Sequence, residues 1–299
     1  MKYIKFNGNE ISKLSLGTVQ FGLNYGIANT NGQPNQEDVN QIIEYVHKEG
    51  INSFDTAQAY GNSEEILGNA LLNISDSLVI SKLKSDLFEN NLKENVKISL
   101  EKLKINSLFS LLLHDSKLLY EWNDKHKQNM SELIDDKLIK YFGVSVYSSE
   151  DFDLAIENDD ISIIQVPFNI FDQRAIKLNW FKKAREKNKL IFIRSVFLQG
   201  LLLMNKNEIP QNLEHSKKYI EKFEDLCEEL HLSKNELALS FVDSVAKDSL
   251  LLFGCDNIEQ AKENIYNYNA LKHLDDSILL RIKNEFSEAP EHIYNPTKW

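Results

Sequence analysis

The sequence is short of cysteine, of positive charge and of long apolar runs, and each shortage excludes something. Two cysteines, Cys227 and Cys255, cannot build a disulfide framework in 299 residues, and they read as free thiols in a reducing compartment. Lys and Arg number 34 against 45 Asp and Glu, a formal net charge of −11. Nucleic acid and anionic membranes need a basic face, so neither is an expected partner. A small phosphorylated ligand stays open, because it asks only for a local cationic pocket. No apolar run approaches the ~20 residues that cross a bilayer, and Met1–Lys5 begins no signal-like apolar segment. The expectation is a cytoplasmic protein, monomeric by default given its acidic surface. With 42% hydrophobic and 26% charged residues, the chain can bury a large core without metals or disulfides.

What is present is an alternation of short apolar runs and amphipathic stretches. Tyr3 to Leu14 reads as a hairpin around Asn7-Gly8, a pair that supplies the positive φ a tight turn needs. Short runs then end near Thr18, Asp55, Lys82, Leu113, Ser145, Gln165, Ser195 and Gly254, separated by helical patterns such as Val39, Ile42, Ile43 and Val46. Ser63 is placed to cap the helix that it begins, and Leu87 to Leu103 reads as one helix. Eight continuous apolar strands alternating with helices predict an α/β fold, a closed (β/α)8 barrel of TIM type. The hairpin is an N-terminal extra that could cover one barrel mouth. Ser277 to Trp299 is a C-terminal helical extension. No linker or low-complexity segment divides the chain, so residues 1–299 form one domain.

The chain is organised around Gly50-Ile51-Asn52-Ser53-Phe54-Asp55-Thr56-Ala57-Gln58-Ala59-Tyr60-Gly61. Asp55 ends a strand and Tyr60 follows in the loop, at the barrel face that carries chemistry. Taken alone, Asp55 could cap the next helix and Tyr60 could be a packed aromatic. Lys82 and His114 end the next two strands, and Ser145, Gln165 with Asn169, and Arg194 with Ser195 follow around the barrel. A phenol, an ammonium, a carboxylate and an imidazole at consecutive strand ends read as one site.

These segments carry a resemblance. Phe54-Asp55-Thr56-Ala57 with Tyr60-Gly61, Val79-Ile80-Ser81-Lys82, Leu113-His114, Gly143-Val144-Ser145, Gln165 with Asn169, and Gln199-Gly200-Leu201-Leu202 are similar to the aldo-keto reductase superfamily, in its order. The resemblance implies reduction of an aldehyde or ketone by a nicotinamide cofactor bound without a Rossmann domain. The lack of a Gly-rich dinucleotide loop agrees with that. It implies Tyr60 as general acid, with Lys82, Asp55 and His114 as its catalytic partners. A free phenol has a pKa near 10, and Lys82 is expected to lower it. It further implies that Gly17, Thr18, Ser145, Gln165, Arg194, Ser195, Leu198, Gly254, Gln260, Glu263 and Asn264 hold the cofactor, and that Tyr25, Tyr60, His114 and Asn169 face the substrate. No metal is implied.

Three departures from the family pattern stand out. Val146 replaces a frequent Asn after Gly-Val-Ser. Arg194 replaces an aromatic that commonly stacks on the nicotinamide; it could stack, contact an anion, or sit in a salt bridge. Gln260 stands where NADP-specific members commonly carry Arg, and Asp256 adds a negative charge nearby. NADP(H) remains slightly preferred on the family pattern, with NAD(H) open. The loop Gln20 to Gln33 is polar, with Asn24, Tyr25, Asn29, Asn31 and Gln33, which hints at a sugar or sugar-derived carbonyl. Two other readings compete: a cofactor-binding barrel with a regulatory or structural role and little turnover, and a Schiff-base lyase using Lys82 as nucleophile.

Overall fold

The structure, a computed structural model, describes residues 1–299. A hairpin of β1 (Tyr3–Phe6) and β2 (Asn9–Ser12) precedes a closed parallel barrel. Its strands are β3 (Leu14–Gly17), β4 (Ser53–Asp55), β5 (Leu78–Leu83), β6 (Leu108–Leu113), β7 (Ile139–Ser145), β8 (Ile163–Pro167), β9 (Leu190–Arg194) and β10 (Leu250–Gly254). Each pairs with the next, and β10 pairs with β3 to close the ring. The predicted barrel, hairpin and C-terminal helices are all present.

Side-chain alternation explains how the barrel points its chemistry. Ile80, Leu112, Ile163, Phe192 and Leu252 belong to one buried cluster inside the ring. Successive side chains on a strand face opposite ways. The residue two places on therefore shares the inner face at the C-terminal end: Lys82, His114, Gln165, Arg194 and Gly254. The intervening residues, such as Val79, Leu111, Ile164 and Ile191, pack outward against the helices in the larger cluster. Phe6 and Ile11 of the hairpin join the inner cluster, and the Phe6 ring centroid lies 5.3 Å from that of Tyr141. The hairpin thus plugs the barrel's N-terminal mouth. Gly143 is needed inside: a Cβ there would come within 2.3 Å of the Ile163 carbonyl oxygen.

Local details depart from the expectations in two places. Ser63 does not cap its helix (Ser63–Ala70); Asn62 is the N-cap, and the Ser63 hydroxyl instead donates to the Thr18 carbonyl at 2.7 Å. That bond ties the helix start to the end of β3. The stretch expected as one helix breaks into Ser85–Glu89 and Leu92–Leu103, because Asn91 takes a left-handed conformation at φ 59°. Asn tolerates that region well. The C-terminal extension contains Asp276–Phe286 and a further short helix, Glu291–Tyr294. Phe286 packs there against Phe171 and Phe223, at centroid distances of 5.5 and 6.5 Å. Both cysteines are free and buried, and no helix is long and apolar enough to cross a membrane.

Candidate active site

Asp55, Lys82, Tyr60 and His114 meet at the C-terminal mouth of the barrel. Lys82 is 1% exposed, and its ammonium spends all three protons. It donates to Asp55 Oδ2 at 2.5 Å, to the Thr56 carbonyl at 2.9 Å and to the Tyr60 hydroxyl at 3.5 Å. Asp55 is held from its other side by the Gln165 amide, which donates to Oδ1 at 2.8 Å. The Tyr60 and His114 rings stand edge to face, with centroids 5.4 Å apart. The order is thus Gln165, Asp55, Lys82, Tyr60, with the phenol as the end that reaches the cavity.

Electrostatics set the protonation of each group. Burial pulls the Lys82 ammonium down, but Asp55 and Tyr60 outweigh it and hold its pKa above the ordinary lysine value. That keeps Lys82 charged. With no free pair and no free proton, it is not a Schiff-base nucleophile. Tyr60 moves opposite to the expected direction. Burial raises its pKa by more than Lys82 lowers it, and Asp55 adds to the rise. The phenol is therefore protonated across the physiological range. Burial, followed by Lys82, pushes the His114 pKa down to about 4, so its imidazole is neutral.

Behind these groups one cavity of about 660 Å³ runs across the mouth. That size falls within the range for small-molecule sites. It is lined by Tyr60 and His114 at one end and by Gln260, Glu263 and Asn264 at the other. Between them lie Gly17, Thr18, Ser145, Gln165, Arg194, Ser195 and Gly254, with Asp55 and Tyr25 also on the wall. Most of the residues expected from sequence are therefore brought together. Lys82 stands behind the wall, in contact with Tyr60.

Two further expected residues are not on the wall. Asn169, expected to face the substrate, is fully buried. Its carbonyl accepts from the Phe171 and Asp172 amides, each at 2.9 Å, and its amide donates to the Ser195 carbonyl at 3.0 Å. It shapes the loop after β8 and holds Ser195. Leu198, expected at the cofactor, is fully buried in the core, while its neighbours Phe197 and Gln199 line the cavity instead. Both belong to the loop Phe197 to Asn212, which with Gln20 to Gln33 is expected from sequence to line the substrate mouth; sequence reasoning missed Tyr147 and the turn Ser233-Lys234-Asn235. Asn235 donates to Asn264 at 3.1 Å, which ties the helices Lys234–Val245 and Ile258–Asn269 together at the cavity's far end.

The polar loop is mostly occupied with itself. Asn29 donates to the Tyr25 and Gly32 carbonyls at 3.2 and 3.1 Å, and accepts from the Asn31 and Gly32 amides. Gln33 donates to the Phe21 carbonyl at 2.7 Å.

The wall suits a large polar ligand such as a dinucleotide. Gln20 Oε1, His114 Nδ1, Arg194 Nε and Asn235 Oδ1 are buried polar atoms without a partner, and all four residues line the cavity. Buried polar groups are normally satisfied. At Gly254 a Cβ would come within 2.6 Å of the Gln20 amide, so the glycine lets the Gln20 side chain lie against the backbone there. The wall thus brings a half-buried phenol beside an imidazole at one end of a cavity of dinucleotide scale.

Comparisons with known proteins show the family. The aldo/keto reductase family model matches residues 13–284, and the chain belongs to that family. It is an aldo-keto reductase, an oxidoreductase of the class that reduces carbonyl groups with NAD(P)H. It is 25% identical over 261 residues to an uncharacterised oxidoreductase of Bacillus subtilis, covering 79% of this chain and 84% of that protein. It is 24% identical over 332 residues to the NADH-specific methylglyoxal reductase of Escherichia coli, covering 97% of this chain and 100% of that protein. An aldo-keto reductase of Bacillus halodurans, solved in its holo form, superposes with a TM-score of 0.78 at 21% identity, covering 100% of both chains.

Proposed function

We propose that this protein reduces a small, polar aldehyde or ketone, with Tyr60 giving the proton to the carbonyl oxygen. The observation that carries the reading is the buried Gln165, Asp55, Lys82, Tyr60 chain, which ends on a protonated phenol facing the cavity beside a neutral imidazole. A reduced nicotinamide, when bound, supplies the hydride. Charge then develops on the carbonyl oxygen, and a donor must stand beside it. Tyr60 donates its proton there, and Lys82, held by Asp55, stabilises the phenolate that remains. His114, neutral, can offer an N–H to the same oxygen and fix its direction. Ser145 and the free oxygen of Gln165 are placed to hold the nicotinamide amide. A hydroxylated, sugar-like carbonyl compound suits the amides of Gln20 and Gln199 on the wall.

For the cofactor, the residues at the far end favour NADH over NADPH. Asp256 lines the cavity and accepts from Asn257 at 2.9 Å and from Asn31 at 3.3 Å. A carboxylate there can take a ribose hydroxyl but repels a phosphate. The nearby cations are occupied elsewhere. Lys234 donates to Glu224 at 2.7 Å and to the Met204 carbonyl at 2.6 Å, and Lys262 stands over the Tyr45 ring at 6.0 Å. The NADP(H) preference suggested by the family pattern gives way, in this reading, to NAD(H). Fluorescence titration should show NADH binding at least about tenfold more tightly than NADPH, since a like-charge contact costs several kcal/mol and 1.4 is tenfold. Asp256→Arg should reverse the order, and equal affinities in both proteins would remove this assignment. A panel of small aldehydes with the preferred cofactor then tests the activity itself; no turnover with any of them would count against the reductase reading.

One pH effect follows from His114. In the folded chain burial, followed by Lys82, holds its pKa down to about 4, below the ordinary 6.5. Between those values the unfolded chain binds more protons, so stability is full above about 6.5 and falls as the pH drops toward 4. His114→Gln should flatten that part of a stability-against-pH curve. An unchanged slope would mean that His114 is not held neutral by the fold.

A further inference from the structure

Arg194 is anomalous among the arginines of this chain. The sequence has four, and the other three are ion-paired: Arg174 with Asp172, Arg185 with Asp248, and Arg281 with Glu229 and Glu285. Arg194 has only neutral partners, in a chain with 45 acidic side chains. One Nη donates to the Val146 carbonyl at 3.1 Å and the other makes a long contact of 3.4 Å to the Ser195 hydroxyl. Its Nε is buried without a partner. The guanidinium lies over the Tyr147 ring, with its carbon 3.8 Å from the centroid. A stacked guanidinium keeps its hydrogen-bonding edge free and fixed in direction.

Its place in the cavity says what that edge can meet. Arg194 ends β9 on the inner face, two residues past Phe192, and lines the cavity with Tyr25, Tyr60 and His114. The other cation at this end, Lys82, is already compensated by Asp55. Arg194 is thus the mouth's uncompensated charge, near enough to act on Tyr60 and His114 electrostatically. The cavity's other carboxylates, Asp256 and Glu263, belong to the far end. The cation stands beside the proton donor, where the substrate's reacting carbon must come.

We propose that Arg194, held flat on Tyr147, binds an anionic group of the substrate, so that the preferred substrates are aldehydes or ketones carrying a carboxylate or a phosphate. The proposal rests on the reductase reading for its kinetic arm. A charged donor paired with an oxyanion is among the stronger polar contacts. It places the carbonyl relative to Tyr60 by holding the substrate's opposite end.

The test compares matched pairs with NADH as cofactor: glyceraldehyde 3-phosphate against glyceraldehyde, and succinic semialdehyde against butanal. The phosphate and carboxylate arms separate the two sources of negative charge. In the unmodified protein the charged member of at least one pair should show a kcat/KM higher by about ten- to a hundredfold, the usual worth of a hydrogen bond to a charged group. In Arg194→Gln that ratio should fall to near one through KM, and Arg194→Lys should keep part of it. A second readout needs no turnover: 3-phosphoglycerate and succinate, which carry no aldehyde or ketone, are titrated into the protein with NADH bound, so the dinucleotide's own phosphate subsite is filled. At least one should bind the unmodified protein and bind Arg194→Gln at least tenfold more weakly. Ratios near one in the unmodified protein, or ratios unchanged in Arg194→Gln, overturn the proposal. So does a loss of NADH affinity in Arg194→Gln with the ratio intact, which would place Arg194 on the cofactor. If no carbonyl compound is reduced, the reductase reading has failed, and the titration alone decides whether Arg194 holds an anion.

Discussion

Tyr60→Phe should lower kcat by about a hundred- to ten-thousandfold, the range for loss of a positioned proton donor, while NADH still binds. The substitution removes one oxygen and keeps the ring. The edge-to-face contact with His114 at 5.4 Å is retained, so the cavity wall is retained too. What is lost is the only hydroxyl that joins the Lys82 ammonium to the cavity. Raising the pH does not restore the variant, because no other group in the chain takes over the proton. Steady-state rates with a small aldehyde, alongside a fluorescence titration with NADH, check both halves. Full activity in the variant would end the assignment of Tyr60, whereas loss of NADH affinity would show that the ring serves binding.

Lys82→Met should be as damaging to activity and should also destabilise the fold. The variant leaves Asp55, 4% exposed, with a buried charge and no counter-ion. Removing one partner of a buried pair costs about 3–5 kcal/mol. Asp55→Asn together with Lys82→Met should recover much of that stability, because the uncompensated charge is gone and Gln165 keeps an amide partner. It should recover none of the activity, because nothing then holds the phenolate left on Tyr60. Thermal unfolding and turnover of the single and double variants separate these two contributions. A double variant no more stable than Lys82→Met alone would show that the pair's role in folding has been misassigned.

The barrel and most of the wall were legible because both follow from alternation along strands. Lys82, His114, Gln165 and Arg194 each stand two residues past a buried inner hydrophobe, so their direction was fixed once the strands were. Tyr147 comes from the loop after β7, and Ser233 to Asn235 from a helix start far along the chain. Only tertiary packing brings them to the cavity, and no periodicity announces it. Asn169 and Leu198 misled for a related reason: one follows the end of β8 and the other sits between two wall residues, but the loop turns each side chain inward, to the backbone in one case and to the core in the other. Leu198 does so from a left-handed backbone at φ 49°. The sign of the Tyr60 shift was also out of reach. Proximity to Lys82 could be read from spacing, but the burial that outweighs it could not.

Hydride transfer is the central claim, and isotopic labelling tests it most directly. The protein is incubated with a reactive aldehyde and NADH carrying deuterium at C4 of the nicotinamide, on each face in turn. The alcohol product is then analysed by mass spectrometry. The account predicts one deuterium on the carbinol carbon from one of the two labelled cofactors, and none when Tyr60→Phe replaces the unmodified protein over the same time. Tight NADH binding with no labelled alcohol from either cofactor would contradict it, and would leave a barrel that binds the dinucleotide for a regulatory or structural purpose.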